Sequence, residues 1–163
     1  MDNKLAHFAE LESKTDPTGF TSNTHLVVKR VVVVSNDVVP SDEHADGETW
    51  CVSFFGGGTW KQTSYNNNFR KQYAGMDMVY NTSKNKFLNQ QPFASWALDS
   101  DDDWQPPITY PSVIEGSNFI YDIEWNETKY NANNNTGWEA TKSNDNAETP
   151  TVYNWNGSAW VSE

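Results

Sequence analysis

Short hydrophobic or aromatic runs alternate with polar, turn-forming stretches along almost the whole chain, and an apolar period of 3.6 residues is nearly absent. Alternation over a few residues is typical of half-buried β-strands, and the Asn, Asp, Ser, Thr and Gly residues between the runs favour turns. The pattern therefore predicts a mainly β fold: an N-terminal antiparallel sheet with one short helix, followed by a series of aromatic β-hairpins.

The N-terminal part predicts a long hairpin. Residues 6–11 alternate and predict one strand, and residues 26–34 predict the strongest strand of the chain. Four consecutive valines in that strand favour burial on both faces or a central position in a sheet. The turn signal at residues 16–19 (Asp-Pro-Thr-Gly) predicts an exposed loop between the two strands.

A helix is predicted only between residues 48 and 55. The acidic, polar residues 40–47 predict a surface loop, residues 48–55 one or two helical turns, and the glycines at 56–58 a helix stop. Residues 59–65 alternate again and predict a return strand. A phosphate-binding loop is excluded because no Gly-Lys-Ser/Thr follows the glycines.

Four irregular hairpins are predicted after residue 78. Their strand pairs are residues 79–80 with 87–88, 96–98 with 104, 121–125 with 138, and 153–155 with 160–161. Asn156-Gly157 predicts a two-residue type I′ turn. Prolines between the hairpins favour extended connections that keep neighbouring hairpins from merging into one ladder. We predict an N-terminal domain over residues 1–91 and an aromatic hairpin region over residues 92–163.

Composition narrows the classes of function. Aromatic residues make up 14% of the chain, with eight Trp, and the net charge is −11 with a pI near 4.5. Such a charge disfavours nucleic acid and anionic membranes as partners. The single cysteine, Cys51, excludes an intramolecular disulfide, and its apolar neighbours predict a buried, inert thiol. The polar N-terminus predicts no secretory signal.

Catalytic and metal-binding patterns are missing from the sequence. The three histidines lack metal-ligand spacing, and no strained serine-nucleophile motif occurs. The acidic run at residues 99–103 departs from an EF-hand at its sixth and twelfth positions, Trp104 and Tyr110. A looser calcium site stays open there, beside the interpretation as a solvated hairpin tip. We therefore predict a non-enzymatic protein with no cofactor, no metal and no small-molecule ligand.

One segment is basic and aromatic within an otherwise acidic chain. Residues 66–73 include Phe69, Arg70, Lys71 and Tyr73. Arginine and aromatic side chains are enriched at protein interfaces, so these four residues are candidates for docking on a partner. The alternative interpretation is an ordinary loop.

Several motifs resemble a known family. They are Leu-Ala-His-Phe-Ala-Glu-Leu at residues 5–11, Phe-Gly-Gly-Gly-Thr-Trp-Lys-Gln-Thr-Ser-Tyr-Asn at 55–66, the run at 68–76, Pro-Phe-Ala-Ser-Trp-Ala-Leu at 92–98, and the closing residues 153–161. Together they resemble small virion-associated proteins of marine tailed phages, especially cyanophages. Insertions near residues 14–23 and 131–135 depart from the shorter family pattern.

This resemblance implies location in the virion and a structural role. The expected partners are other virion proteins, namely major capsid or tail proteins, which the chain would decorate or stabilise in many copies through its aromatic hairpins. A carbohydrate- or receptor-binding module of a tail fibre is the alternative, because exposed Trp and Tyr rings stack on sugars. A host-directed regulator made during infection ranks third.

Overall fold

The computed structural model of the chain describes residues 5–39, 43–111 and 120–162 and confirms the mainly β fold. The chain divides into two compact units, Met1–Pro92 and Phe93–Glu163, which we call the N-terminal unit and the C-terminal unit. Within the described ranges, neither helix has the length and apolar character needed to cross a membrane.

One long hairpin forms the centre of the N-terminal unit. Strand β1 (Leu5–Thr15) pairs antiparallel with β2 (Thr24–Ser35), which confirms the predicted hairpin. The ladder contains a β-bulge with Lys29 as its extra residue. Two residues of β2, Lys29 and Arg30, therefore lie opposite the single residue Glu10 of β1. The Glu10 carboxylate accepts hydrogen bonds from both cations, and this arrangement stabilises the irregular point of the ladder.

Three shorter strands complete this sheet. They are β3 (Thr59–Thr63), β4 (Val79–Asn81) and β5 (Lys86–Leu88), and the strand order is β3-β1-β2-β4-β5. The central position predicted for β2 is therefore confirmed. Burial on both faces holds only in part, because Val31 and Val32 pack against clusters on opposite faces whereas Val33 is 55% exposed.

Helix α1 (His44–Phe55) is longer than predicted, since it includes residues 44–47, which we had assigned to a loop. Residues 40–42 of that predicted loop lie outside the described residues. The fully buried residues of α1 are Gly47 and Cys51, one turn apart, so small residues form the centre of its inner face, and Trp50 and Phe55 pack half-buried beside them. That explains the weak helical period in the sequence. The helix ends at Gly56, whose left-handed φ of 73° glycine adopts without strain.

The sheet has a hydrophobic cluster on each face. The cluster beneath α1 contains Ala6, Phe8, Val34, Cys51 and Trp60. The cluster on the opposite face contains Ala9, Leu11, Val28, Ala74, Tyr80 and Phe87. Because side chains alternate along a strand, β1 and β2 each contribute to both clusters, and this hairpin joins the two cores.

The C-terminal unit contains shorter elements. A two-stranded ribbon pairs β6 (Ala97–Leu98) with β7 (Trp104–Gln105). A four-stranded sheet has the order β11-β10-β9-β8 and consists of β8 (Tyr121–Trp125), β9 (Trp138–Lys142), β10 (Tyr153–Trp155) and β11 (Trp160–Ser162). All four predicted hairpins are present.

The prediction that the hairpins stay separate is wrong. Strand β10 pairs with β9, so two hairpins form one sheet, and β4 pairs with β2, so a third joins the N-terminal sheet. Proline prevents pairing only where its own backbone faces a neighbour, and these prolines lie in the connections outside the paired strands.

Two local features also differ from the prediction. Helix α2 (Glu127–Ala132) interrupts the predicted polar loop, and the Asn126 side chain caps it by accepting the Lys129 N–H at 3.0 Å. The Asn156-Gly157 turn is not type I′, which requires positive φ at both central residues. Of the two residues Asn156 and Gly157, only Gly157 has a positive φ. The side-chain oxygen Oδ1 of Asn156 accepts the N–H groups of Ser158 and Ala159.

Candidate binding surfaces

Arg70, one of the four candidate docking residues, lies inside the N-terminal unit. Only 7% of its side chain is exposed, and its Nη1 donates to Glu48 Oε1 and to the Gln62 carbonyl oxygen, both at 2.7 Å. Glu48 Oε1 also accepts the Gln62 N–H at 2.9 Å. The guanidinium is therefore engaged in internal contacts instead of the partner surface predicted for it.

The segment around Arg70 caps both outer strands of the sheet. Gln62 lies in β3, at one edge, and both of its backbone polar groups are bound by Glu48 and Arg70. Phe87 lies in β5, at the other edge, where its N–H donates to the Arg70 carbonyl and its carbonyl accepts from Gln72 Nε2, each at 3.1 Å. The unpaired backbone groups of an edge strand can pair with another chain. This segment occupies such groups on both edge strands of the sheet.

The other three candidate docking residues are half-buried. The Phe69 ring packs on the His44 ring at 4.4 Å, and the Tyr73 ring packs edge-on against His7 and Tyr65. A docking role for Phe69, Lys71 and Tyr73 stays a prediction. Most contacts of their segment lie within the N-terminal unit and stabilise its sheet.

An aromatic row on α1 is the feature that sequence analysis missed. It consists of Trp50, Phe54, Phe55 and Trp60. Trp50 stacks on Phe54 at 4.7 Å, Phe54 meets Phe55 edge-on at 4.9 Å, and Phe55 stacks on Trp60 at 4.7 Å. The i, i+4 spacing of Trp50 and Phe54 is the signal for it in the sequence, but the same run also fits the apolar surroundings of a buried Cys51.

The row passes from the core to the surface. Trp60 is buried, whereas 67% of Phe54 is exposed. The Arg30 guanidinium lies 4.9 Å from the centre of the Phe55 ring, within cation–π range. The outer end of the row is thus a rigid apolar surface, because its rings are already held by one another.

A second surface feature is a cleft of about 270 Å³ at one end of β1 and β3, which we call the Tyr65 cleft. It is lined by Leu5, Ala6, His7, Gln62, Thr63, Ser64, Tyr65, Asn66, Asn68 and Phe69. The Tyr65 ring stacks on His7 at 5.6 Å and still has 68% of its surface exposed. Aromatic and amide side chains therefore meet here around an open space.

Cys51 is a buried thiol, as predicted. It is fully enclosed beneath α1, and burial together with the nearby Glu48 charge raises its pKa to about 11. A thiol with a raised pKa is a poor nucleophile at neutral pH.

The acidic run at residues 99–103 forms a turn held by Asp99. Asp99 Oδ1 accepts the N–H groups of Asp101 and Asp103, and Oδ2 accepts Gln105 Nε2, each at 2.9 Å. These bonds use both oxygens of Asp99, which is one of the four carboxylates considered as calcium ligands in this run. Across residues 5–39, 43–111 and 120–162, no three His, Cys, Asp or Glu side chains form a group that could hold a metal ion.

We compared the chain with models of protein families, with curated proteins and with solved structures, and none of them matches it.

Proposed function

We propose that this chain is a non-enzymatic structural protein of a tailed-phage particle, where it decorates or stabilises the capsid or tail by docking on a major virion protein. The observation that carries the proposal is the aromatic row, whose outermost ring, Phe54, is 67% exposed and stacked on the half-buried Trp50. The resemblance of the sequence motifs to virion-associated phage proteins supports the particle as the location.

The composition of the row suits a protein partner. Stable interfaces are centred on aromatic and arginine side chains that fill pockets on the other protein. Trp50 and Phe54 are already stacked, and α1 is fixed on the sheet through Gly47 and Cys51, so little side-chain freedom is lost on binding. The hairpin rings suit this role less well, because Trp125 and Trp138 are buried within their own unit.

Charge adds a second requirement on the partner. The chain carries a net charge of −11, so a capsid or tail surface with a basic rim around an apolar pocket would attract it and orient its approach. A multicopy position on the particle fits this arrangement, since acidic neighbours repel one another and bind side by side only where the lattice supplies compensating charge.

The test is co-sedimentation of the purified full-length chain with particles from the encoding phage lacking this gene. We expect saturable binding by the wild type and at least tenfold weaker binding by Phe54→Ala. The matched control is Phe20→Ala, an exposed ring in the β1–β2 loop outside the row. Undiminished binding by Phe54→Ala, or equal losses in both variants, would contradict docking through the row.

A carbohydrate- or receptor-binding module of a tail fibre is the second candidate function. The Tyr65 cleft is the specific observation that favours it, because exposed aromatic rings beside amide groups are suited to sugars.

A further inference from the structure

The Tyr65 cleft carries no formal charge, although the chain as a whole is strongly acidic. None of its lining residues has a carboxylate, ammonium or guanidinium group. The one imidazole among them, His7, has a pKa held below its ordinary value by burial, which favours its uncharged form. A charged ligand would find no counter-ion among the described residues that line the cleft, which is therefore suited to a neutral, polar one.

An aromatic platform forms one wall of the cleft. Tyr65 stacks on His7 with 23° between the ring planes, and Tyr73 meets both rings edge-on at 5.5 and 5.4 Å. These contacts fix the Tyr65 ring while most of its surface stays open to solvent. A fixed, exposed ring binds the apolar C–H face of a ligand with little loss of side-chain entropy.

Unused amide groups lie next to this platform. The side chains of Asn66 and Asn68 make no hydrogen bond within the described part of the chain, and both line the cleft. Each offers two N–H donors and one oxygen acceptor. Paired donors and acceptors of this kind match vicinal hydroxyl groups, which need both.

The loop that carries the amides is preorganised. Ser64 Oγ accepts the Asn68 N–H at 2.9 Å, and Asn67 Oδ1 accepts the Tyr73 N–H at 2.7 Å. Asn67 has a left-handed φ of 58°, a conformation that asparagine tolerates better than most residues. The backbone that carries the two amides is therefore held in place beside the ring before any ligand arrives.

We infer that the Tyr65 cleft is a binding site for a neutral saccharide, with one sugar ring stacked on Tyr65 and its hydroxyl groups bound by Asn66 and Asn68. The cleft volume of about 270 Å³ is just below the roughly 300–1,000 Å³ of sites for drug-sized ligands and suits a terminal sugar residue. This site is distinct from the aromatic row, so the inference does not depend on the docking proposal.

The test is an NMR titration of the ¹⁵N-labelled full-length chain. The probes are the neutral oligosaccharides maltotetraose, cellotetraose, chitotetraose and mannotriose, with 3′-sialyllactose as the anionic comparison. We expect at least one neutral probe to shift the signals of Tyr65, Asn66 and Asn68, with an affinity unchanged between 150 and 500 mM NaCl. Absence of shifts at these residues across the neutral probes overturns the inference, as does preferential binding of the anionic probe.

Matched variants locate the binding. Tyr65→Ala should weaken it at least tenfold, whereas Tyr110→Ala, at a tyrosine 58% exposed in the C-terminal unit, should leave it unchanged. Equal affinity of the wild type and Tyr65→Ala overturns the assignment to this cleft. Phe54→Ala should bind the saccharide normally, so failure of particle docking and failure of saccharide binding are distinguishable.

Discussion

The N-terminal and C-terminal units form their cores in different ways. In the N-terminal unit, one long hairpin contributes to a cluster on each face of the sheet, and the Glu48–Arg70 ion pair supports an outer strand. The C-terminal unit holds six of the eight Trp residues, and Trp138 packs against rings from distant positions. The first unit therefore combines two hydrophobic clusters with a charged contact at a strand edge, and the second depends on rings brought together from separate segments.

The largest effect should come from removing the first part of the C-terminal unit. A fragment of residues 112–163 lacks Trp96 and Tyr110, which pack on Trp138, and Ile108, whose carbonyl accepts the Trp138 Nε1–H at 2.9 Å. It also lacks Ser95, which donates twice to Glu127. We expect a poorly dispersed ¹H–¹⁵N spectrum for this fragment. A dispersed spectrum with a cooperative urea transition would show that the distant rings are dispensable.

Loss of the Glu48 charge should be the next largest effect. Glu48→Gln leaves Arg70 without its counter-ion in a site where only 14% of the Glu48 side chain is exposed. We expect a loss of about 2–3 kcal/mol, since removal of one partner of a fully buried pair costs about 3–5 kcal/mol. Urea denaturation measures this loss. The control is Glu12→Gln, which removes an exposed pair with Lys14 and should change stability by less than about 1 kcal/mol. Equal losses of stability in the two variants would show that the Glu48–Arg70 pair contributes no more than an exposed ion pair.

The same pair predicts a dependence of stability on pH. Burial alone would raise the pKa of Glu48, but the Gln62 N–H and the Arg70 guanidinium outweigh burial and hold that pKa below its ordinary 4.5. A carboxyl with a lower pKa in the folded state stabilises the fold fully above about pH 4.5, and this stabilisation is lost as the pH falls through the folded pKa. The stability difference between the wild type and Glu48→Gln should therefore shrink from pH 6 to pH 3. A constant difference would contradict this assignment.

Each unit also places a glycine against an aromatic ring. A Cβ at Gly47 would lie 2.5 Å from the Phe8 ring, and one at Gly137 would lie 2.6 Å from the Trp125 ring. We expect Gly47→Ala and Gly137→Ala each to lose about 1–3 kcal/mol through overpacking, although alanine favours helix at Gly47. Gly75→Ala is the control, because its nearest neighbour is the flexible Met78 side chain at 3.4 Å. Thermal denaturation compares the stabilities of the three variants. A Gly47→Ala variant more stable than the wild type would show that the Phe8 ring moves aside without cost and would contradict the expected overpacking.

Sequence reasoning found the strands because period-2 alternation and turn residues are local signals. The hairpins of residues 5–35 and 121–142 follow from such signals. The pairing of β9 with β10 does not, because Pro150 in the connection between them favoured separate hairpins. The start of α1 also gave no signal, since its first turn buries only Gly47 and contains no large apolar residue.

The candidate sites show the same limit. Arg70 is conspicuous in the sequence as a basic residue in an acidic chain, which favoured a partner surface. Its actual contacts, Glu48 and Gln62, are 22 and 8 residues away and meet it only in the folded sheet. Exposure of Phe54 and of Tyr65 likewise depends on which side of the sheet each ring lies, and composition carries no information about that.

Quantitative mass spectrometry of purified phage particles, with heads and tails separated, tests the central proposal most directly. The account predicts that the chain is present in many copies on heads or tails and stays bound through repeated density-gradient purification. Copies on heads would identify capsid decoration, and copies in multiples of three or six on tails would identify a fibre or baseplate part. Absence from both fractions would contradict a structural role in the virion.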